Sequence, residues 1–187
     1  MARPLRPAVP GGVYHVSVRG NRRQIVFFDG VDRRRFLRLL AETVRQYGWR
    51  CHAYCLLDNH FHLVVETPKP NISAGMQRLN SRYAEWFNRR HAFDGHLFQG
   101  RFHSRLLETD WHLLELSRYV VLNPVRAGLC PSTGDWPWSS YRATVGTEPA
   151  PRFLTIRMIL AQFGKDRARA RHAYARFVSE GLLVRSS

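Results

Sequence analysis

The spacing of apolar residues changes period repeatedly along the first 122 positions, and that alternation restricts the fold more than any other feature. Val13 to Arg19 sets Val13, His15, Val16 and Val18 among polar neighbours and reads as a short strand, followed by a basic turn at Gly20-Asn21-Arg22-Arg23. From Asp32 the period becomes helical, with Phe36, Leu37, Leu40, Val44 and Tyr47 on one stripe behind an Asp cap and Gly48 at the end. Trp49 to Leu57 and Phe61 to Glu66 are apolar runs separated by Asp58-Asn59, a turn pair, and so form a hairpin closed by Pro68 and Pro70. Asn71 or Ser73 caps a long amphipathic helix reaching about His91, with Met76, Leu79, Tyr83, Trp86 and Phe87 on its apolar face.

Gly95 and Gly100 bracket a loop, and Phe102 to Leu107 reads as a further strand. Asp110 caps a helix running to about Leu122, where Pro124 is expected to stop or bend it. The order β-α-β-β-α-β-α is that of an α+β fold, the ferredoxin-like split βαβ antiparallel sheet with helices on its faces. Residues 1–12 read as an extended lead-in. One catalytic domain is expected over 1–128. Residues 129–187 are expected as a small helical extension docked on it, with a Trp136-Pro-Trp138 aromatic plug and two short helices between 155 and 181.

Charge narrows the partner. A formal net charge of +15 over 187 residues and a sequence pI near 11.1 point to a polyanion. Only Lys69 and Lys165 are lysines, and arginine holds phosphate bidentately and stacks on bases where lysine acts as a point charge. No window has the roughly 18–20 consecutive apolar residues of a membrane span, and the basic N-terminus lacks the apolar stretch of a secretory signal. Cys51, Cys55 and Cys130 have no disulfide-framework spacing, which suits a reducing cytoplasm. The composition therefore favours a cytoplasmic nucleic-acid binder, nucleoid-associated when on DNA.

His60-Phe61-His62 carries the chemistry. On a strand, period two puts both imidazoles on one face and Phe61 on the other, with Leu63 and Val65 continuing the core side. Two imidazoles two residues apart make a pincer for a divalent metal, although a bare His-x-His is more often a surface or core pair. Cys51 and Cys55 share a face if their strand is regular, but no Cys-x-x-Cys pair supports a zinc site. His15 reads as strand filler, and Tyr83, beside Leu79, Trp86 and Phe87, reads as packing.

The ordered series Tyr54-Cys-Leu-Leu-Asp-Asn-His-Phe-His-Leu-Val-Val-Glu-Thr-Pro68, Met76-Gln-Arg-Leu-Asn80, Gly95-His-Leu-Phe-Gln-Gly-Arg-Phe-His-Ser104, Ser117-Arg-Tyr-Val-Val-Leu-Asn-Pro-Val-Arg-Ala127 and Trp136-Pro-Trp-Ser-Ser-Tyr141 resembles the REP-associated tyrosine transposases. These are relatives of insertion-sequence transposases with one catalytic tyrosine and an HUH metal site, U being hydrophobic. The resemblance covers roughly residues 10–145. It implies that His60 and His62 are metal ligands, that Phe61 is the U residue, and that Tyr119 is the nucleophile on a helix crossing the histidine-bearing face. Asn123, one turn on, matches the position of a third, polar ligand, often Gln elsewhere and here a shorter reach.

The implied activity is a transposase-like, Mg²⁺- or Mn²⁺-dependent endonuclease and strand transferase. It cleaves single-stranded DNA at palindromic hairpin repeats through a 5′-phosphotyrosine, as monomer or homodimer. A tyrosine hydroxyl, with an ordinary pKa near 10, needs such help at neutral pH. Candidate DNA contacts are Arg19, Asn21, Arg22 and Arg23 after the first strand, Arg78 and Arg82 on the second long helix, and Gln99, Arg101, His103 and Arg105. Two other readings compete. One is a non-catalytic single-strand-binding module of the same fold, which has no need of His60, His62, Tyr119 and Asn123 together. The other is a phosphohydrolase that turns over nucleotides without a protein–DNA adduct.

Overall fold

The computed structural model describes residues 9–107 and 110–183. Four strands, β1 (Gly12–Arg19), β2 (Arg50–Leu56), β3 (His60–Thr67) and β4 (His103–Leu106), form one sheet in the order β2-β3-β1-β4, every pair antiparallel. Helices α1 (Gly30–Tyr47) and α2 (Ile72–His91) provide the crossovers, and α3 (Asp110–Arg126) follows β4. This is the α+β, ferredoxin-like arrangement that the change of period predicts. The expected lead-in falls largely outside the described residues, and so does the side chain of Asp110, the expected cap of α3.

Strand parity sorts the sheet into two faces. Tyr14, Val16 and Val18 of β1 and Phe61, Leu63 and Val65 of β3 are buried against Phe36, Leu39 and Leu40 of α1 and Met76, Leu79, Tyr83 and Phe87 of α2. Phe61 lies at the centre of this layer, its ring centroid 4.5 Å from that of Phe36. On the opposite face Ala53, Cys55, Leu57 and Val64 meet Leu113 and Val120 of α3. Because α3 packs chiefly on β2 and β3, the β1–β4 part of this second face is left for polar residues.

Several local expectations change. The cap of α1 is Asp29, whose carboxylate accepts from the amides of Val31 and Asp32; Asp32 itself is buried and takes Arg90, His91 and the amide of Phe28. Asn71 precedes α2 but turns its side chain to Trp49 Nε1 and the Tyr47 carbonyl instead of capping. A bulge between Cys51 and Ala53 shifts the register of β2, so Cys51 belongs to the α1–α2 layer and Cys55 to the α3 layer. The two thiols therefore do not share a face.

Pro124 lies inside α3, which continues to Arg126. The missing proline N–H leaves the Val120 carbonyl without its usual partner. The Asn123 side chain bridges that gap, its Nδ2 donating to Tyr119 O at 2.8 Å and reaching Val120 O at 3.4 Å.

The C-terminal residues cover the outer edge of β2. Leu56 N donates to Trp138 O, Trp136 Nε1 to Leu56 O, Ser140 N to Tyr54 O and Thr155 N to Cys51 O, so the backbone groups of an exposed edge strand are satisfied. Beyond the aromatic plug come α4 (Tyr141–Val145), α5 (Arg157–Ala161) and α6 (Arg167–Leu183). Here α4 is additional to the sequence expectation, and α6, at 17 residues, is a long helix rather than a short one. It packs on α3, where Arg118 stacks over Phe177 at 4.2 Å.

Candidate active site

The hairpin that presents the histidines is clamped from below. The buried guanidinium of Arg33 pairs with Asp58 and lies 5.7 Å from the rings of Phe27, Trp136 and Trp138. Asp58 O also accepts from Val26 and Phe27 N, which fixes the turn immediately before His60. Period two then does what the sequence implies. His60 and His62 emerge on the α3 side of the sheet, ring centroids 5.1 Å apart, while Phe61 is sealed in the opposite core.

Antiparallel register brings β1 and β4 into the same patch. Ser17 stands opposite His62 on one side and His103 on the other, Arg19 opposite His60, and His15 opposite Arg105. The loop 97–99 is tied to the end of β1 by Asn21 N to Leu97 O and Gln99 N to Arg19 O, both close to 2.9 Å. These bonds set Gln99 beside the histidines. A cleft of about 350 Å³ results, lined by Ser17, Arg19, His60, His62, Gln99, His103, Tyr119 and Asn123. Sequence reasoning named all of these except Ser17.

Tyr119 is 41% exposed, although it belongs to a helix packed on the sheet. Its ring stands nearly perpendicular to His62 and to His15, each at 5.9 Å between centroids, and Arg126 lies 5.6 Å over its face. This solvent-accessible phenol beside two largely buried imidazoles contrasts with Tyr83, a packing tyrosine that is fully buried with its hydroxyl bonded to Val26 O.

The electrostatics suit metal ligation. Burial lowers His60 to about 4, helped by the charge of Arg19. Burial lowers His62 to about 3, with His15, His60 and Arg19 adding to the effect. His15 is likewise lowered to about 4 by burial and by Arg105. Neutral imidazole is the form that binds metal. His60 Nδ1 is occupied by Asn59 Oδ1 at 2.7 Å, which leaves Nε2 as its free ring nitrogen. Among the described residues no three His, Cys, Asp or Glu side chains converge on one point. A metal held here would have to draw on the two imidazoles, on the Asn123 amide oxygen, and on oxygens of substrate or water. That mixed N/O set fits Mn²⁺ or Mg²⁺ better than a closed zinc centre.

The remaining candidates divide by position. Asn21, Gln99 and Arg101 line a second cavity, shared with Asn80, and Gln99 borders both cavities. Arg22 and Arg23 occupy the turn after β1, both with left-handed backbone (φ 51° and 62°), and the Asn59 amide donates to Arg23 O. Gly20 opens that turn because a β-carbon there would meet Gln24 O at 2.2 Å. Arg105 lines a third cavity on the far side of Tyr119, with His15, Arg118 and Arg126. Arg78 and Arg82 lie on α2, across the sheet from the histidines, and Arg82 is paired to Glu42 of α1 at 2.6 Å.

The sequence reads His15 as strand filler, whereas its Nε2 lies 2.9 Å from His62 Nδ1. Its signal was parity. His15, Ser17 and Arg19 alternate with the buried Tyr14, Val16 and Val18, so they must occupy the other face of β1.

Residues 8–123 match the family model described as "Transposase IS200 like". The chain belongs to the IS200-like transposase family. The matched stretch contains all of β1 to β4 and ends at Asn123, so it spans His60, His62 and Tyr119. This IS200-like chain is 25% identical over 163 residues to a Haemophilus influenzae protein that carries the name REP-associated tyrosine transposase, covering 81% of this chain and 92% of that one. Among solved structures it is similar to a REP-associated tyrosine transposase bound to a REP hairpin, with TM-score 0.68, 19% identity, and 83% and 92% of the two chains covered. No helix among the described residues is long and apolar enough to cross a membrane.

Proposed function

We propose that this IS200-like transposase is a metal-dependent single-stranded DNA endonuclease and strand transferase acting at palindromic hairpin repeats. The observation that carries the reading is the exposed Tyr119 ring 5.9 Å from the buried His62, in one cleft with His60 and Asn123. A hairpin substrate agrees with the ligand of the structurally similar transposase. The excess of arginine supplies the phosphate affinity.

Mg²⁺ or Mn²⁺ held by His60, His62 and the Asn123 amide oxygen would polarise the scissile phosphate and offset charge on its non-bridging oxygens. Tyr119 Oη attacks phosphorus in line. The new bond joins tyrosine to the 5′-phosphate, the phosphorus–O3′ bond breaks, and the phenol proton is delivered in net terms to the departing 3′-oxygen. The 3′-hydroxyl of a second strand reverses the step, so joining needs no ATP. Arg19 and Arg101 hold phosphates beside the cleft, Asn21, Gln99 and His103 face exposed bases, and Arg22, Arg23 and Arg105 extend the basic track. Arg78 and Arg82 act at most on DNA that wraps past the edge of the sheet. Residues 1–128 form the catalytic unit and 129–187 an extension that buttresses β2 and α3.

The test uses end-labelled single-stranded oligonucleotides carrying the host's palindromic repeats, with Mn²⁺, Mg²⁺ or chelator. Wild type should cut at one position only with metal, and His62→Ala should bind the hairpin without cutting. Tight binding by wild type with no cleavage in either metal would favour a non-catalytic binding module.

A further inference from the structure

We propose that His15 is a positioning residue that sets the proton of His62 so that His62 presents a lone pair to the metal. The inference rests on the metal-dependent reading above and adds a residue to it. His15 lies on β1 opposite Val64, two pairs along from Ser17 and His62 and on the same face, so backbone pairing fixes its place relative to the histidine strand. The two rings are nearly parallel, 21° between planes and 5.1 Å between centroids, with His15 Nε2 and His62 Nδ1 2.9 Å apart.

Two neutral imidazoles at that distance share a single proton, and its location decides what His62 can do. With the proton on His62 Nδ1, donated to His15 Nε2, the Nε2 of His62 carries a lone pair. With the proton on His15 Nε2, His62 Nδ1 accepts it and the ring's other nitrogen is protonated, so it cannot ligate. Metal capture through His62 therefore requires His15 to be the acceptor. His60 obeys the same rule by a different device, since the Asn59 Oδ1 beside its Nδ1 can only accept.

A metal-bound histidine that donates its second ring N–H to a fixed acceptor is held in one tautomer and one orientation, and loss of such a partner costs roughly 10–100-fold in metal affinity. His15 also stands edge-on to Tyr119 at 5.9 Å. One side chain thus borders both the metal ligand and the nucleophile.

The experiment measures Mn²⁺ binding to the full chain without DNA, by electron paramagnetic resonance of free Mn²⁺, for wild type, His15→Leu and His15→Gln. In parallel, long-range ¹H–¹⁵N spectra of the metal-free wild type report which His62 nitrogen is protonated. The expected results are a proton on His62 Nδ1, affinity reduced roughly 10–100-fold in His15→Leu, and recovery close to wild type in His15→Gln, whose amide oxygen can accept the same bond. Equal affinities for wild type and His15→Leu, or a proton on His62 Nε2, would overturn the role of His15 alone. No Mn²⁺ binding by wild type would overturn the metal reading and this inference with it. The tautomer measurement needs no variant, so a misfolded His15→Leu does not remove the test.

Discussion

Gly75→Ala should destabilise the protein, although the same change in most helices stabilises. Gly75 lies in the first turn of α2, its amide bonded to Asn71 O at 3.0 Å. Alanine there gains about 1 kcal/mol of helix propensity. The new β-carbon, however, would lie 2.1 Å from Trp49 Cζ2 and 2.6 Å from Cη2, where carbon pairs normally keep about 3.5–4 Å. Trp49 has little room to retreat, since it is 4% exposed and its Nε1 donates to Asn71 Oδ1 at 2.7 Å. Overpacking costs about 1–3 kcal/mol, and loss of the indole bond adds about 1 kcal/mol. The net expectation is destabilisation by roughly 1–3 kcal/mol, or about 2–4 °C in Tm for each kcal/mol in a chain of this size. Urea and thermal unfolding of wild type, Gly75→Ala, Trp49→Leu and the double variant measure it. In the Trp49→Leu background, where the clashing ring is gone, Gly75→Ala should cost little or nothing. A Gly75→Ala protein as stable as wild type would refute the packing argument.

Other consequences follow from the same geometry. Phe61→Ala removes a fully buried ring from the α1–α2 layer and should cost about 3–5 kcal/mol by chemical denaturation, with weaker Mn²⁺ binding because β3 loses its anchor between the histidines. Cys51, raised to about 12 by burial, and Cys55, also raised, should resist alkylation of the native protein even at pH 9, while the less buried Cys130 reacts. Rapid labelling of all three thiols would contradict that burial. Arg101→Ala should weaken hairpin binding and reduce the salt slope by about 0.7–0.9 per lost phosphate contact. Arg82→Ala, on the α1–α2 face and paired there to Glu42, should change neither. Equal losses for the two would place DNA on the α1–α2 face.

The sheet, its order and the histidine pair were legible because they rest on parity and period, which a sequence displays directly. The bulge in β2 was not, since one extra residue inverts every face assignment before it without altering composition. The cap of α1 was displaced from Asp32 to Asp29 because both residue types suit the position. Buried partners, Arg90 and His91 for Asp32, decided between them. Pro124 reads as a stop, yet α3 passes through it because the neighbouring Asn123 amide reaches the stranded carbonyl. That bond also engages Asn123 Nδ2 and leaves its amide oxygen as the atom a metal would use. Parity placed His15 on the histidine face, but its contact with His62 was not legible, because the two residues are 47 apart across a strand pairing that only the register reveals.

As the nucleophile of the proposed reaction, Tyr119 becomes covalently joined to DNA. The most direct measurement traps the adduct formed with a repeat hairpin whose released fragment, the one ending in the 3′-hydroxyl, is too short to remain bound. Tryptic digestion and mass spectrometry then locate the nucleotide. The expected result is a 5′-phosphate on Tyr119, formed only with Mn²⁺ or Mg²⁺, and no adduct from Tyr119→Phe despite unchanged hairpin binding. An adduct on another residue, or metal-dependent cleavage by Tyr119→Phe, would contradict it.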